Sequence, residues 1–297
     1  MGGVAIIIGF LATIFINNDL VISQNLWGII FASVVILIFG IFDDFFELEW
    51  KTQLLFQIAV AILVFIFGIR VEYITNPLGG LIFLNLGKFL LPSLFFVIFW
   101  IVLMINSMNW VDGVDGLSGG VSFIGSLTIF FLSLKPEVNQ PPVAIIAMAL
   151  AGAFLGFLIF NFNPSKILAG TSGSMFMGFI LASLAIFAGV KIATALLIMA
   201  VPVIDALWVI GERFRSENSI FNPDNRHLHY KLLELGWSQR KIIIFFYSVT
   251  LGISIVALRT RAMGKMITLI LVVFIMFLAL TFISKKLKIG SLKTNNG

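Results

Sequence analysis

Asp43 and Asp44 stand side by side directly after an apolar run, in the segment GIFDDFFE. Adjacent carboxylates repel and raise one another's pKa unless a cation is near, so a divalent metal or a basic substrate is their expected companion. A second acidic cluster lies in NSMNWVDGVDGL, Asn106 to Leu117, where Asp112 and Asp115 are each followed by glycine. Asp-Gly is a common turn dipeptide. Two such units three residues apart, behind Asn106 and Asn109 one helical turn from each other, exceed what a turn requires. Burying a carboxylate at the centre of a membrane helix costs on the order of 2.5 to 3.5 kcal/mol, so carboxylates bordering an apolar span point to a pocket.

Two more stretches carry groups that hold phosphate. NFNPSKILAGTSGS, Asn161 to Ser174, joins Lys166 to a turn rich in glycine and hydroxyls, Gly170, Thr171, Ser172, Gly173 and Ser174, that opens the next apolar run. Backbone N–H groups at a helix N-terminus suit phosphate oxygens, although Gly and Ser also let membrane helices pack closely. PDNRHLHYKL, Pro223 to Leu232, contains the chain's two histidines, His227 and His229, next to Arg226. Imidazole and guanidinium donors together neutralise charge on phosphate oxygens. Asp205 lies in an apolar span between Pro202 and Arg213; pairing with Arg213 and a direct functional role explain it equally well.

The elements that position these groups follow from composition. The chain of 297 residues is 60% hydrophobic and 11% charged, with a mean hydropathy of +1.11. So few charges cannot cover a soluble globule of that size, and the chain reads as all-α, a polytopic membrane helical bundle. Without cysteine there is no disulfide or thiolate metal site, and two histidines build no zinc site, so any metal is held mainly by oxygen. No aromatic-rich basic stretch marks a nucleic-acid partner, and the pI near 9.6 reports loop topology and lipid headgroups.

Runs of roughly 17 to 25 apolar residues cross a bilayer core. They predict about ten transmembrane helices, near 2–16, 26–42, 52–68, 93–111, 117–134, 142–162, 173–189, 192–210, 241–258 and 265–283, the first of them short. No repeat is visible, and residues 1–297 read as one integral-membrane domain with a hydrophilic loop at 211–240. If the spans alternate in direction, the Asp43 region, the Asp112 region, 161–174, 211–240 and the C-terminal tail share one face. That face carries twelve of the nineteen lysines and arginines, which predicts that it is cytoplasmic in a plasma (inner) membrane protein.

The combination resembles the polyprenyl-phosphate N-acetylhexosamine-1-phosphate transferases of glycosyl transferase family 4, relatives of the phospho-N-acetylmuramoyl-pentapeptide transferase. The resemblance runs in motif order from Gly2 to about Gly236. Asp43-Asp44 matches the family's acidic pair, and Asn106 to Leu117 its N-x-x-N-x-x-D-G-x-D-G-L run. Asn161 to Ser174 is similar to its N-F-N-P-A-k-i-f-x-G-D-x-G-S loop, and His227-Leu228-His229 to the start of its H-x-H-H loop. With Asp224 upstream, that loop is closer to the hexosamine-phosphate branch than to the pentapeptide branch.

The resemblance implies transfer of a sugar-1-phosphate, N-acetylhexosamine-1-phosphate, from a UDP-sugar to polyprenyl (undecaprenyl) phosphate, with release of UMP, for cell-envelope glycan synthesis. It implies Mg²⁺, or Mn²⁺ in its place, held by Asp44, Asp112, Asp115 and Thr171. Asp43, Asp44, Asp112, Asp115, His227 and His229 would be catalytic. Asn106, Asn109, Lys166, Gly170, Thr171, Ser172, Gly173 and Arg226 would bind substrate. The implied partners are the UDP-sugar, the lipid phosphate and the membrane, and a homodimer is compatible with them.

Three departures accompany the resemblance. Thr171 stands where the family loop has aspartate, and Tyr230 where H-x-H-H has its last histidine. Gly2-Gly3 resembles the glycine pair before the family's second span, which leaves the family's first span either upstream or absent from a shortened homologue. Thr171 supports the rival reading of a catalytically inactive homologue that binds lipid phosphate or nucleotide sugar. An ion-coupled transporter would instead place carboxylates at the membrane midplane between two related halves.

Overall fold

A computed structural model describes the chain except for residues 1, 77, 86–89, 190–191, 216–225 and 295–297. Asp224, Lys88 and Lys191 therefore lie outside the described residues. Each predicted apolar run is helical. Among the described residues six helices are long and apolar enough to cross a membrane: α2 (Gln24–Phe46), α4 (Leu91–Val111), α6 (Pro141–Asn161), α7 (Gly170–Phe187), α11 (Gln239–Arg259) and α12 (Ala262–Thr294). Three more, α1 (Gly2–Ile16), α3 (Trp50–Ile66) and α5 (Leu117–Ser133), are apolar but shorter.

The run expected at 192–210 is not one straight span. It divides into α8 (Ile192–Ile198) and α9 (Ala200–Arg215), bent by 77°. Pro202 explains the break: it has no N–H for the carbonyl four residues back, and its ring crowds that carbonyl, so α8 cannot continue through it. The stretch 211–240 is also less of a loop than its polarity suggests, because α9 runs to Arg215, α10 occupies Leu228–Glu234 and α11 begins at Gln239. An antiparallel hairpin between α3 and α4, β1 (Tyr73–Thr75) with β2 (Leu81–Phe83), is the one addition to the all-α expectation among the described residues.

The core is built around α7, the most buried of the six spanning helices. Between helices in lipid, attraction comes from close packing rather than from water exclusion, so small residues mark the contacts. A Cβ on Gly3 would strike the backbone of Gly173, one on Gly40 the backbone of Ser172, and one on Gly178 the backbone of Met104 and Ile105. Thus α1, α2 and α4 each meet α7 at a glycine. Trp100 on α4 donates its indole N–H to the Ala182 carbonyl at 3.1 Å and locks the register. The outer surface is apolar in turn: Ile267, Leu271, Phe274 and Phe277 on α12 are all exposed, as a lipid-facing helix requires.

Contacts at the helix ends show that the apolar segments alternate. Gly2 and Gly3 at the start of α1 donate to the carbonyls of Leu168 and Ala169, just before α7. Asp43 at the end of α2 meets Gln53 in the first turn of α3, and Asn163, just after α6, meets Gln239 at the start of α11. The polar motifs converge on this one end, as alternation predicts.

Candidate active site

The last turn of α2 carries the acidic pair, and Glu47 in the left-handed conformation ends the helix (φ 48°). Asp43 and Asp44 are 100° apart on that turn and so face different neighbours. Asp43 is buried, with Oδ1 accepting from Gln53 Nε2 at 2.9 Å. Asp44 is exposed and accepts the backbone N–H of Thr171 at 2.7 Å, placing a carboxylate at the N-terminus of α7. Gly170 is required there twice over: its φ is +70°, and a Cβ would sit 2.5 Å from Asp44 Oδ2.

This changes the reading of the Gly170 to Ser174 turn. The N–H of Thr171, expected to face phosphate, is held by Asp44. Ser172 and Gly173 are buried in the contacts with α2 and α1. Ser174 Oγ donates to Asn109 Oδ1 at 3.0 Å. Thr171 and Asp44 are neighbours through this backbone contact, and Ser172 and Gly173 serve close packing.

Asp112 caps α4 and is half-buried, with Ser118 Oγ donating to its Oδ1. Burial pushes its carboxyl up to about 7 against the opposing Ser118 hydrogen bond, and the negative charges of Asp115 and Asp44 add to the rise. Asp115 faces the other way. Its Oδ2 accepts from Asn163 Nδ2 at 3.2 Å and the Ser165 N–H at 3.1 Å, and its Oδ1 from Ser165 Oγ at 2.9 Å. Asn161 reinforces this junction by accepting the Gly116 N–H at 2.8 Å and donating to the Ile167 carbonyl at 2.8 Å. Tyr247 of α11 donates to the Gly116 carbonyl. Asp115 thus pins the Asn163 to Ser165 turn, while Asp112 faces the cavity.

That cavity, of about 900 Å³, lies between α3, α4 and α9. Gln53, Gln57, Asn106, Asn109, Asp112, Arg213, His227 and Tyr230 form its polar end, and Ile58, Ile98, Phe99, Leu207 and Ile210 its apolar walls. Asn106 Nδ2 donates to the buried Gln57 Oε1 at 2.6 Å. Lys166 is exposed on the turn after α6, and Arg226 precedes His227; neither lines the cavity.

The histidines arrive on the N-terminus of α10. His227 Nδ1 lies 2.9 Å from Asp205 Oδ2, and its ring stacks parallel to His229 at 5.8 Å and tilts against Trp110 at 5.6 Å. His229 is fully buried, and neither of its ring nitrogens has a hydrogen-bond partner among the described residues. Burial lowers its pKa to about 4, with Asp205 pulling upward and His227 pushing further down. A Cβ on Gly113 would lie 2.5 Å from Tyr230 Oη and 2.7 Å from His229 Nε2. The first Asp-Gly unit therefore needs its glycine so that α10 can close over it.

The sequence reading missed Gln53, Gln57 and Trp110, and treated Arg213 only as a partner for Asp205. Gln53 and Gln57 did carry a signal, two amides one turn apart in a helix whose other polar residues, Lys51 and Thr52, lie in its first turn. Trp110 carried none, since an aromatic residue in a span is unremarkable in sequence.

Among the described residues no three acidic or imidazole side chains form a ready-made metal cage. Mg²⁺ rarely uses one: it keeps several waters and takes one or two carboxylates plus substrate phosphates. Asp112 and Asp44 feel one another's charge across the site, and Thr171 adjoins Asp44. Asp112 lines the cavity while Asp44 and Thr171 lie outside its lining; two carboxylates and a hydroxyl are donor types that Mg²⁺ takes alongside substrate phosphates.

The family model described as glycosyl transferase family 4 matches residues 26–189. The chain is 31% identical over 288 residues to a probable undecaprenyl-phosphate N-acetylglucosaminyl 1-phosphate transferase of Bacillus subtilis (strain 168), covering 95% of this chain and 77% of the relative. It is 33% identical over 277 residues to the decaprenyl-phosphate N-acetylglucosaminephosphotransferase of Mycobacterium tuberculosis (strain ATCC 25618 / H37Rv), covering 83% and 68%. It is 31% identical over 275 residues to the phospho-N-acetylmuramoyl-pentapeptide-transferase of Halalkalibacterium halodurans, covering 87% and 82%.

Proposed function

Since this chain belongs to glycosyl transferase family 4, we propose that it transfers N-acetylhexosamine-1-phosphate from a UDP-sugar to a polyprenyl phosphate, with its site on the cytoplasmic face of the plasma membrane. The observation that carries this reading is the two-sided cavity, in which Asp112, Arg213 and His227 meet at one end of an apolar channel of about 900 Å³. A lipid phosphate needs both halves: apolar walls for the chain and cationic donors for the headgroup.

Arg213 and His227 hold the lipid phosphate, and Asn106, Asn109 and Asp112 shape the space beside it for the diphosphate of the donor. A lipid-phosphate oxygen attacks the sugar-linked phosphorus, forming a new P–O–P bond. The bond from that phosphorus to the bridging oxygen breaks, and the electron pair leaves with UMP. Nucleophile and leaving group are both phosphate oxyanions, so no dedicated general acid is needed and the protein's work is positioning and charge neutralisation. Mg²⁺, when bound, supplies charge neutralisation at the diphosphate oxygens, with Asp44, Asp112 and Thr171 as the residues that would hold it. Asp115 contributes by keeping the Asn163 to Ser165 turn against the site.

Purified protein reconstituted with undecaprenyl phosphate, Mg²⁺ and labelled UDP-N-acetylhexosamines should release UMP only when the lipid is present. No release above an Asp43→Asn/Asp112→Asn control, with several such donors, would sink the proposal in favour of an inactive homologue. Thr171 is the observation that favours that second reading, because a hydroxyl brings oxygen without charge. Thr171→Asp should lower the Mg²⁺ concentration for half-maximal rate by roughly tenfold, equivalent to about 1.4 kcal/mol. An unchanged Mg²⁺ titration would show that this side chain does not face the metal.

A further inference from the structure

Asp205 lies one turn beyond the break between α8 and α9 and is 1% exposed. Its two oxygens make different contacts with adjacent residues of one segment. Oδ1 accepts the backbone N–H of Leu228 at 2.8 Å, and Oδ2 faces His227 Nδ1 at 2.9 Å. His227 occupies the N-cap position of α10 but makes no side-chain cap hydrogen bond of its own. Asp205 therefore caps α10 from another helix and grips the imidazole with the same carboxylate.

That double contact constrains the ring more than an isolated hydrogen bond would. Rotation of His227 is opposed by the parallel His229 ring and the tilted Trp110 indole. A carboxylate can only accept, so Nδ1 must carry a proton, and the remaining nitrogen, Nε2, is left for the cavity that His227 lines. Protonated at both nitrogens, the ring donates from Nε2 to a phosphate oxygen. The same helix supplies Arg213 and the cavity walls Leu207 and Ile210, so Asp205 ties the histidine loop to the element that frames the channel.

We infer that Asp205 is a positioning residue for the transfer reaction, setting the tautomer and orientation of His227 through the Nδ1 contact while capping α10. This role rests on the phosphate-binding reading of the cavity, but its central observable does not. With only two histidines in the chain, protein labelled with ¹⁵N-histidine yields two imidazole signatures, and His229→Gln assigns them. Wild-type His227 should be protonated at Nδ1.

Asp205→Asn then makes a specific demand. Its one oxygen must keep accepting from Leu228 N–H, so its NH₂ faces Nδ1, and the His227 proton is driven to Nε2. Turnover should fall about tenfold with little change in KM for the donor, because a neutral Nε2–H still donates to the phosphate but no longer carries the positive charge that the Asp205 carboxylate supports. In a His227→Gln background the same change should cost less than about twofold, because Asp205 acts through the ring.

A wild-type His227 protonated at Nε2 alone would overturn the inference without any variant. So would an Asp205→Asn protein with an unchanged tautomer and turnover within about twofold of wild type, or a double variant with fully additive losses. If the wild type shows the Nδ1 signature but turns over no UDP-sugar, the proposed reaction fails while the Asp205 contact stands.

Discussion

Asp112→Asn should reduce turnover by about a thousandfold or more while the protein folds and melts like wild type. The amide keeps the shape of the carboxyl, and its oxygen still accepts from Ser118 Oγ, so packing at the end of α4 is preserved. Folding without the charge is not demanding here, because burial already holds this carboxyl near 7, where the neutral form is well populated at neutral pH. What the substitution removes is the negative charge facing the cavity that would bring a metal to the diphosphate. Losing one group that stabilises charge in the transition state typically costs 10²–10³ in kcat, roughly 2.7–4 kcal/mol, and loss of a metal ligand extends that. Asp115→Asn should behave differently, because Asp115 holds a turn; its loss should appear in thermal stability as well as rate. Steady-state rates and thermal melts of both variants in one detergent provide the check. An Asp112→Asn enzyme within tenfold of wild type would remove Asp112 from the reaction.

Gly178→Val should damage the fold strongly. A Cβ at this position meets the backbone of Met104 and Ile105, at 2.5 Å from Ile105 Cα, and backbone cannot swing aside as a side chain can. The two helices must separate or bend. Since α7 is the helix against which α1, α2 and α4 all pack, the disturbance reaches both the Thr171 end and the Asp112 end of the site. Overpacking of this kind typically costs about 1–3 kcal/mol, and sometimes more. A fall in melting temperature of roughly 2–12 °C follows at about 2–4 °C per kcal/mol. Gly152→Ala is the control: nothing lies within 4 Å of a Cβ at Gly152, and Ala favours a helix interior over Gly, so its melt should not fall. A Gly178→Val protein that melts with the wild type would show that α4 and α7 are not in this contact.

The apolar runs were legible because lipid tolerates only apolar side chains and internally satisfied backbone, a constraint that acts on each segment separately. Asp43, Asp44, Asn106, Asn109 and Asp112 stood out for the same reason, since polar groups at apolar borders contrast with their surroundings, whereas His227 and His229 stood out as the chain's two histidines beside Arg226. Helix alternation then sufficed to bring them to one face. The break before Pro202 was readable in principle from the proline, but its 77° angle comes from how α8 and α9 pack.

The division of labour among the polar residues was not legible. Asp112 and Asp115 belong to the same short motif, three residues apart, and no local property separates them. Only the arrival of the Asn163 to Ser165 turn, nearly fifty residues later, commits Asp115 to holding a loop and leaves Asp112 to the cavity. Likewise Ser172 and Gly173 look like a phosphate turn until α1 and α2 close on them. Asp205 suggested Arg213 as a partner, whereas the chain brings His227 to it from across the loop. Composition, the length of the apolar runs and their alternation thus determined that this protein is a helical membrane bundle with its polar chemistry at one end. Which carboxylate faces substrate, and which holds the structure, was decided by tertiary contacts, because hydrogen bonding is a property of pairs and the partners are remote in sequence.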